Sequence, residues 1–244
     1  MIASLRMAPE ASADVVSGLR RWFPVHTSIM GEDALHRFAA LAEARARRHG
    51  AGDAADAARL GATMVLLGSE FENDPLLPWA GEILAGGGAS PSVAIRALLA
   101  ATLDWADQTA GVTGDRLDAA LRRIQAYPFM SPVEKDHDDG ELLRVMEHIH
   151  PERATITPEV AFGSLPRRAR AMASRYCGTD RRAPVMFCLS MFLLGHGFDE
   201  DPQLPWARAA LTRPLERGVE RVWALHADAM VHVGRLLAMG RRER

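Results

Sequence analysis

The sequence is poor in cysteine and in aromatic side chains, and its charge is nearly balanced. Two cysteines among 244 residues cannot form a disulfide framework or a four-thiolate zinc site. Lysine and arginine number 29 and aspartate and glutamate number 31, so the net charge of −2 provides no basic field that would attract nucleic acid. Aromatic residues make up only 6% of the chain, which leaves few platforms for stacking bases. We therefore expect no nucleic-acid partner.

Long apolar runs are also lacking. The longest run, residues 183–194, is shorter than the roughly 20 residues that a bilayer-spanning helix needs, and it predicts a buried helix instead. The N-terminus has no continuous apolar segment of the kind found in secretory signals. Cys177 and Cys188 fit no C-x-x-C pattern, which indicates two reduced thiols. These observations predict a cytoplasmic protein that has no membrane partner.

What the sequence does contain is an internal repeat. Residues 66–80 read LLGSEFENDPLLPWA and residues 193–207 read LLGHGFDEDPQLPWA, so that ten of fifteen positions are identical without a gap. Trp79 and Trp206 fix the offset at 127 residues. We call residues 66–80 the first corner and residues 193–207 the second corner. The identity is too high to arise by chance in one chain, and it predicts a tandem duplication.

The same offset relates residues far outside the corners. Near the N-terminus, apolar residues recur at helical spacing, and adding 127 to their numbers gives a second set with the same spacing. The duplication therefore extends over about residues 12–106 and 139–233. The two sets are Val15, Val16, Leu19, Trp22 and Phe23, and Leu142, Leu143, Met146, Ile149 and His150. Since His150 falls on Phe23 and His226 falls on Leu99, we expect these histidines to be buried or at the rim of the core.

Helical periodicity prevails throughout, and alternating strand patterns are absent, so the fold class is predicted to be all-α. We expect a roughly five-helix unit repeated in two pseudo-symmetric halves: a first helical repeat over residues 1–126, a linker over 127–139 and a second repeat over 140–244. The linker is rich in proline and acidic residues, which are typical of a connector and not of a packed core. The predicted helices cover 10–23, 33–49, 54–67, 77–84, 91–107, 115–126, 140–149, 164–176, 181–194, 204–211 and 213–239.

Each corner has a local physical explanation. Gly68 and Gly195 are expected to end the preceding helix, and the following phenylalanine is expected to pack back against it. Asp74 and Asp201 precede prolines, which hold the aspartate backbone extended and allow the carboxylate to accept from the next free N–H groups. The proline before each tryptophan suits the first position of a new helix.

Three interpretations of the corners remain open: rigid helix–loop–helix scaffolding, a pair of recognition loops, and an acidic loop for catalysis or metal binding. Neither copy has the D-x-D-x-D spacing or the distal glutamate of a calcium loop, so we expect no metal and no cofactor. We predict a site for a partner protein shaped by both corners, in which His196, Asp199 and Glu200 are the more exposed contacts. The candidate residues are Phe71, Asp74, Trp79, His196, Phe198, Asp199, Glu200, Asp201 and Trp206.

The second corner and its flanks resemble a family of small all-helical bacterial proteins. The resemblance is carried by an arginine-rich helix ending in glycine (Arg48 to Gly50, Arg175 to Gly178), then by a helix ending in Leu-Gly and the F-D-x-D-P-x-x-P-W-A box. It covers about 60 residues of each copy, and the first copy departs from it at Glu72 and Asn73. That family is typically encoded in type VI secretion and polymorphic-toxin loci. The resemblance therefore implies a chaperone, adaptor or immunity protein for a secreted toxin.

The sequence therefore predicts a non-enzymatic binding protein, a chaperone or adaptor for a toxin or a secretion component. A cognate immunity protein is the first alternative, because the acidic stretch 134–141 could match a charged target. The second is a helical hydrolase that uses His196, Asp199 and Asp201. A nucleic-acid binder is a third, and its affinity would fall steeply with salt.

Overall fold

The computed structural model describes residues 14–86, 88–129, 137–214 and 218–240. Within these ranges the chain forms thirteen α-helices and a 3₁₀ turn at Phe71–Asn73, and it contains no strand, which confirms the all-α prediction. The helices are α1 (Val15–Trp22), α2 (Pro24–Met30), α3 (Glu32–Arg48), α4 (Ala54–Leu67), α5 (Pro78–Ala85), α6 (Pro91–Ala110), α7 (Asp115–Ala126), α8 (Asp139–Ile149), α9 (Pro151–Ile156), α10 (Glu159–Cys177), α11 (Ala183–Leu194), α12 (Pro205–Thr212) and α13 (Gly218–Gly240).

Two short helices, α2 and α9, were not predicted. Pro24 and Pro151 follow the ends of α1 and α8, and each occupies the first turn of a new helix. Proline is suited to that position because its φ is already helical and its missing N–H has no partner to lose. The residues of the first predicted helix before Asp14 lie outside the described residues.

The N- and C-terminal parts of the chain pack on one another through several helices. α7 contacts α8 and α13, α6 contacts α9, and α2 contacts α13. The buried hydrophobic residues form one cluster that runs through both parts. Its largest fully buried side chains include Phe23, Phe38, Phe71, Phe187, Phe192 and Phe198. Burial of this apolar surface is what holds the two parts together.

The predicted linker contributes to this core at its first end. Phe129 is buried, and its ring lies 4.5 Å from the ring of Tyr127, centroid to centroid. At the other end, Asp138 forms a capping box with Glu141 and starts α8. Residues 130–136 of the linker lie outside the described residues. The expectation that this segment stays out of the core is therefore wrong for Phe129, whose aromatic ring is the strongly apolar feature of the segment.

The apolar run at residues 183–194 forms α11 and is buried, as predicted. None of the described helices is both long enough and apolar enough to cross a bilayer. Cys177 and Cys188 are free and buried, and burial raises the pKa of the first thiol to about 11 and of the second to about 12.

Candidate functional site

Each corner begins where a helix ends at a glycine. α4 ends at Leu67 and α11 at Leu194, and the glycines that follow, Gly68 and Gly195, have φ values of 93° and 97°. This backbone region is open to glycine and strained for other residues. Glycine thus permits the sharp turn that sends both chains away from their helix axes, as the sequence predicts.

The aspartates of the corners fold their own loops. Asp74 Oδ1 accepts from the Leu76 N–H at 3.0 Å, and Asp201 Oδ1 accepts from the Gln203 N–H at 2.9 Å. These are the Asx turns expected from the Asp-Pro pairs. Phe71 and Phe198 are fully buried, and the prolines before the tryptophans begin α5 and α12. The local explanation of the corners is therefore confirmed.

The two corners also bind each other. Ser69 of the first corner donates its N–H to Asp201 Oδ2 at 2.7 Å and its hydroxyl to Asp201 Oδ1 at 2.6 Å. In the opposite direction, His196 of the second corner donates its N–H to Asp74 Oδ2 at 3.2 Å. Each aspartate thus holds its own turn and the start of the other corner. This second role was not predicted from the sequence, because a short motif does not reveal which distant residues it contacts.

Small residues allow this close approach. A Cβ on Gly68 would lie 2.6 Å from the carbonyl oxygen of Leu194, and a Cβ on Gly197 would lie 2.5 Å from the Cγ of Glu70. The first contact is with rigid backbone, so any larger residue at Gly68 would push the corners apart.

Gln203 extends the junction towards the N-terminal helices. Its Nε2 donates to the carbonyl of Met64 at 2.8 Å and to Asp201 Oδ2 at 3.2 Å. Its Oε1 lies 3.0 Å from His26 Nε2, which is the donor because an amide oxygen only accepts. Burial lowers the pKa of His26, and burial raises the pKa of Asp201 although hydrogen bonds from Ser69 and Gln203 oppose that rise. The result is a polar network inside the junction of the two corners.

The outer acidic residues of the second corner differ in exposure. Asp199, expected to be an exposed contact, is buried and accepts from the Tyr176 hydroxyl at 2.7 Å, so that prediction is wrong. Burial and this hydrogen bond raise the pKa of Tyr176 to about 12. Glu200 is exposed. His196 is partly exposed, and burial lowers its pKa.

A partly open apolar pocket of about 290 Å³ lies beside the corners, and residues from both parts of the chain line it. Of the nine predicted site residues, Asp201 and Trp206 line this pocket, whereas Trp79 is half-buried against the core elsewhere. Most of the wall is aliphatic and comes from α4, α7, α11 and α13. A pocket of this size and composition, with a few polar groups, is typical of a binding site.

Several polar groups in the wall are buried, among them His150, Arg153 and His232. Burial, together with the charge of Arg153, lowers the pKa of His150 to about 4, and burial likewise lowers the pKa of His232 to about 4. The ring of Trp206 packs on His232 with 5.4 Å between centroids. Burial lowers the pKa of Arg153 to about 10, which leaves it charged at neutral pH. The expectation that His150 is buried is confirmed.

Neither Arg153 nor Gln203 was among the site residues predicted from the sequence. The repeat does contain a pattern that points to them. At the offset of 127 residues, Gln203 corresponds to Leu76 and Arg153 corresponds to His26. A polar residue at a position that the other copy makes apolar, or a charged one where the other copy has a neutral ring, is a candidate for a special contact.

Within the described ranges, no group of three or more His, Cys, Asp or Glu side chains is placed to hold a metal ion. Comparison of the chain with protein-family models, with curated proteins and with solved structures finds no significant match.

Proposed function

We propose that the chain is a non-enzymatic protein that binds a partner protein through the apolar pocket between its N- and C-terminal parts. In this proposal it acts in the cytoplasm as a chaperone or adaptor for a secreted toxin or a secretion component. The observation that carries the proposal is the pocket itself, which is partly open and lined from both parts of the chain. An apolar anchor from a partner would bury its surface there, as in other helical grooves.

We also propose that the two parts are copies of one ancestral unit, docked about a pseudo-twofold axis. Six pairs of helices support this proposal. Each helix from α1 to α6 has a counterpart, in the same order, among α8 to α13, and the two members of each pair are about 127 residues apart. The corners support it further, since Ser69 contacts Asp201 and its equivalent His196 contacts Asp74. Such reciprocal contact is the pattern of a self-complementary interface. The corners then fix the geometry of the pocket, and Asp201, Gln203 and Trp206 of the second corner also form part of its wall.

The buried state of the acidic residues favours binding over hydrolysis. Asp199 is hydrogen-bonded to Tyr176, and Asp201 accepts four hydrogen bonds from Ser69 and Gln203. A general acid or base must be within reach of a substrate proton. These carboxylates are instead occupied within the chain.

The proposal is tested by filling the pocket. Ala229 lines it from α13, whereas Ala227 on the same helix is exposed and does not line it. Each variant, Ala229→Trp or Ala227→Trp, is co-expressed with the tagged products of neighbouring genes. We expect Ala229→Trp to abolish co-purification of a partner that the parent chain and Ala227→Trp both retain. Equal retention by both variants would reject the pocket as the binding site.

The same co-expression separates an adaptor from an immunity protein. If the partner is a toxin, an adaptor leaves its toxicity intact and is required for its export. An immunity protein rescues the cells, and Ala229→Trp should then abolish the rescue.

A further inference from the structure

Arg153 is the most unusual group in the pocket wall. It is 6% exposed, and its guanidinium carbon lies 4.8 Å from the ring centroid of Trp105. Its Nη1 donates to the carbonyl oxygen of Leu193 at 3.3 Å. Its Nη2 is buried and has no hydrogen-bond partner among the described residues. A guanidinium carries five N–H donors and no acceptor, so most of its capacity is unused here.

The charge of Arg153 is also unpaired. The negative charge of Asp74 raises the pKa of Arg153, but this carboxylate is paired with Arg168, at 3.8 Å. No ion pair to Arg153 occurs in the part of the chain that the structure describes. A buried cation without a counter-ion is costly. An anion in the pocket would relieve that cost through charge-assisted hydrogen bonds.

A second unused donor lines the same pocket. The indole Nε1 of Trp206 is buried and has no hydrogen-bond partner within the described ranges, although the ring packs on His232. Both unsatisfied groups are donors, one charged and one neutral. An occupant that satisfies both brings two acceptors, one of which is anionic, together with apolar surface for the aliphatic wall.

The carboxyl terminus of a polypeptide has this chemistry. It carries a carboxylate and, one residue away, a backbone carbonyl, and both can flank an apolar side chain. The pocket, of about 290 Å³, is partly open and has a mainly aliphatic wall, which suits a chain end that carries an apolar last side chain. We infer that the pocket captures the carboxyl terminus of the partner, with its terminal carboxylate on Arg153 and an apolar last side chain against the aliphatic wall. This inference rests on the proposed function.

The experiment measures binding of three probes to the full chain by isothermal titration calorimetry. The probes are acetyl-Ala-Leu-Leu with a free carboxylate, the same peptide with an amidated C-terminus, and octanoate. We expect the free acid to bind at least about tenfold more tightly than the amide, because only the acid pairs with the guanidinium. Octanoate, which has a carboxylate but no second acceptor, is expected to bind more weakly than the peptide acid.

Variants assign the effect to residues. Arg153→Met is expected to bring the acid down to the affinity of the amide, and Trp206→Phe to weaken both peptides while it keeps the ring packing. Arg208→Met, at an exposed arginine outside the pocket, is the matched control and should leave the preference unchanged. If circular dichroism shows that Arg153→Met does not fold, Arg153→Lys, which keeps the charge, replaces it in the binding measurement. A lysine variant is expected to retain part of the preference for the acid.

Equal binding of acid and amide would overturn the inference, and so would tighter binding of octanoate than of the peptide acid. No binding of any probe would overturn it as well. These outcomes are separate from failure of the proposed function. If Ala229→Trp abolishes partner binding while acid and amide bind equally, the pocket is the partner site and the carboxylate is not what it recognises.

Discussion

The two corners share ten of fifteen residues, yet they hold each other unequally. Asp201 accepts four hydrogen bonds, two of them from Ser69 of the first corner. Asp74 accepts backbone N–H groups from Leu76 and His196, and the imidazole Nδ1 of His196 lies 3.9 Å from its carboxylate, beyond hydrogen-bond distance. The difference arises at two pairs of equivalent positions: Ser69 corresponds to His196, and Gln203, whose side-chain amide donates to Asp201, corresponds to Leu76.

The same motif is therefore present in both copies, but its aspartate accepts different hydrogen bonds in each and contributes differently to stability. A hydroxyl next to the donating N–H gives Asp201 a second bond to the first corner, and that bond is charge-assisted if the carboxylate is ionised. His196 offers its backbone N–H alone. We therefore expect the junction to depend more on Asp201 than on Asp74, although the two aspartates are identical in the motif.

The largest effect should come from removing Asp201. Asp201→Ala leaves buried donors of Ser69 and Gln203 without an acceptor, and we expect it to lower the free energy of unfolding by about 3–5 kcal/mol. Asp74→Ala strands two backbone N–H groups and removes the carboxylate that lies 3.8 Å from Arg168, too far for a hydrogen bond, and the expected loss is about 2 kcal/mol. Urea denaturation of both variants at pH 7 measures the two values, and equal losses would contradict the unequal junction.

The glycines at the corners provide the next test. Gly68→Ala should destabilise the protein by about 2–4 kcal/mol, since the backbone conformation disfavours a Cβ and the Cβ would meet the Leu194 carbonyl at 2.6 Å. Gly195→Ala should cost about 1–3 kcal/mol, because its nearest contact, the Leu67 carbonyl, is 3.2 Å away. Thermal unfolding followed by circular dichroism ranks the two variants. A larger loss of stability for Gly195→Ala than for Gly68→Ala would show that Gly68 does not set the distance between the two corners.

The sequence was sufficient to predict what depends on neighbouring residues. The all-α class, the buried helix at 183–194, the helix ends at Gly68 and Gly195 and the turns at Asp74 and Asp201 follow from spacing, capping and proline geometry. These features are decided within a few residues, so local rules apply to them.

What the sequence did not disclose depends on residues that are distant along the chain. Ser69 and Asp201 are 132 residues apart, and no local pattern links them. The same holds for Asp199, whose burial results from packing near Tyr176, and for Arg153, which reaches the pocket from the short helix α9. Tertiary contacts of this kind require coordinates, although the exchange of Leu76 for Gln203 was a signal of them.

Acid should destabilise the protein, because His150 and His232 are buried at positions where the N-terminal part has Phe23 and Trp105. Burial lowers the pKa of both histidines to about 4, below the ordinary value of 6.5. Between these values the unfolded chain binds protons that the folded chain does not, so stability is full above about pH 6.5 and is lost as the pH falls towards 4. Each histidine should account for about 2–3 kcal/mol of that loss.

His232→Phe tests this dependence. The variant should flatten the curve of unfolding free energy against pH between pH 6.5 and 4, with the midpoint in urea measured at half-unit steps. His36→Asn, at an exposed histidine of α3, is the matched control and should follow the parent curve. Parallel curves for His232→Phe and the parent would exclude His232 as a source of acid sensitivity.

The smallest effect tests the origin of the inequality directly. His196→Ser gives the second corner the residue that the first corner has at the equivalent position, and its hydroxyl can donate to Asp74 as Ser69 donates to Asp201. We expect the variant to be more stable than His196→Ala by about 1–2 kcal/mol, because the two differ by this one hydrogen bond to a carboxylate. Comparison with alanine, and not with the parent, removes the contribution of the imidazole packing. Asp74→Asn in combination with each variant should reduce the difference, since the bond then has a neutral acceptor. Equal stability of the serine and alanine variants would show that the corners differ in backbone geometry, whose donor distances are 2.7 Å to Asp201 and 3.2 Å to Asp74, and not in the side chain alone.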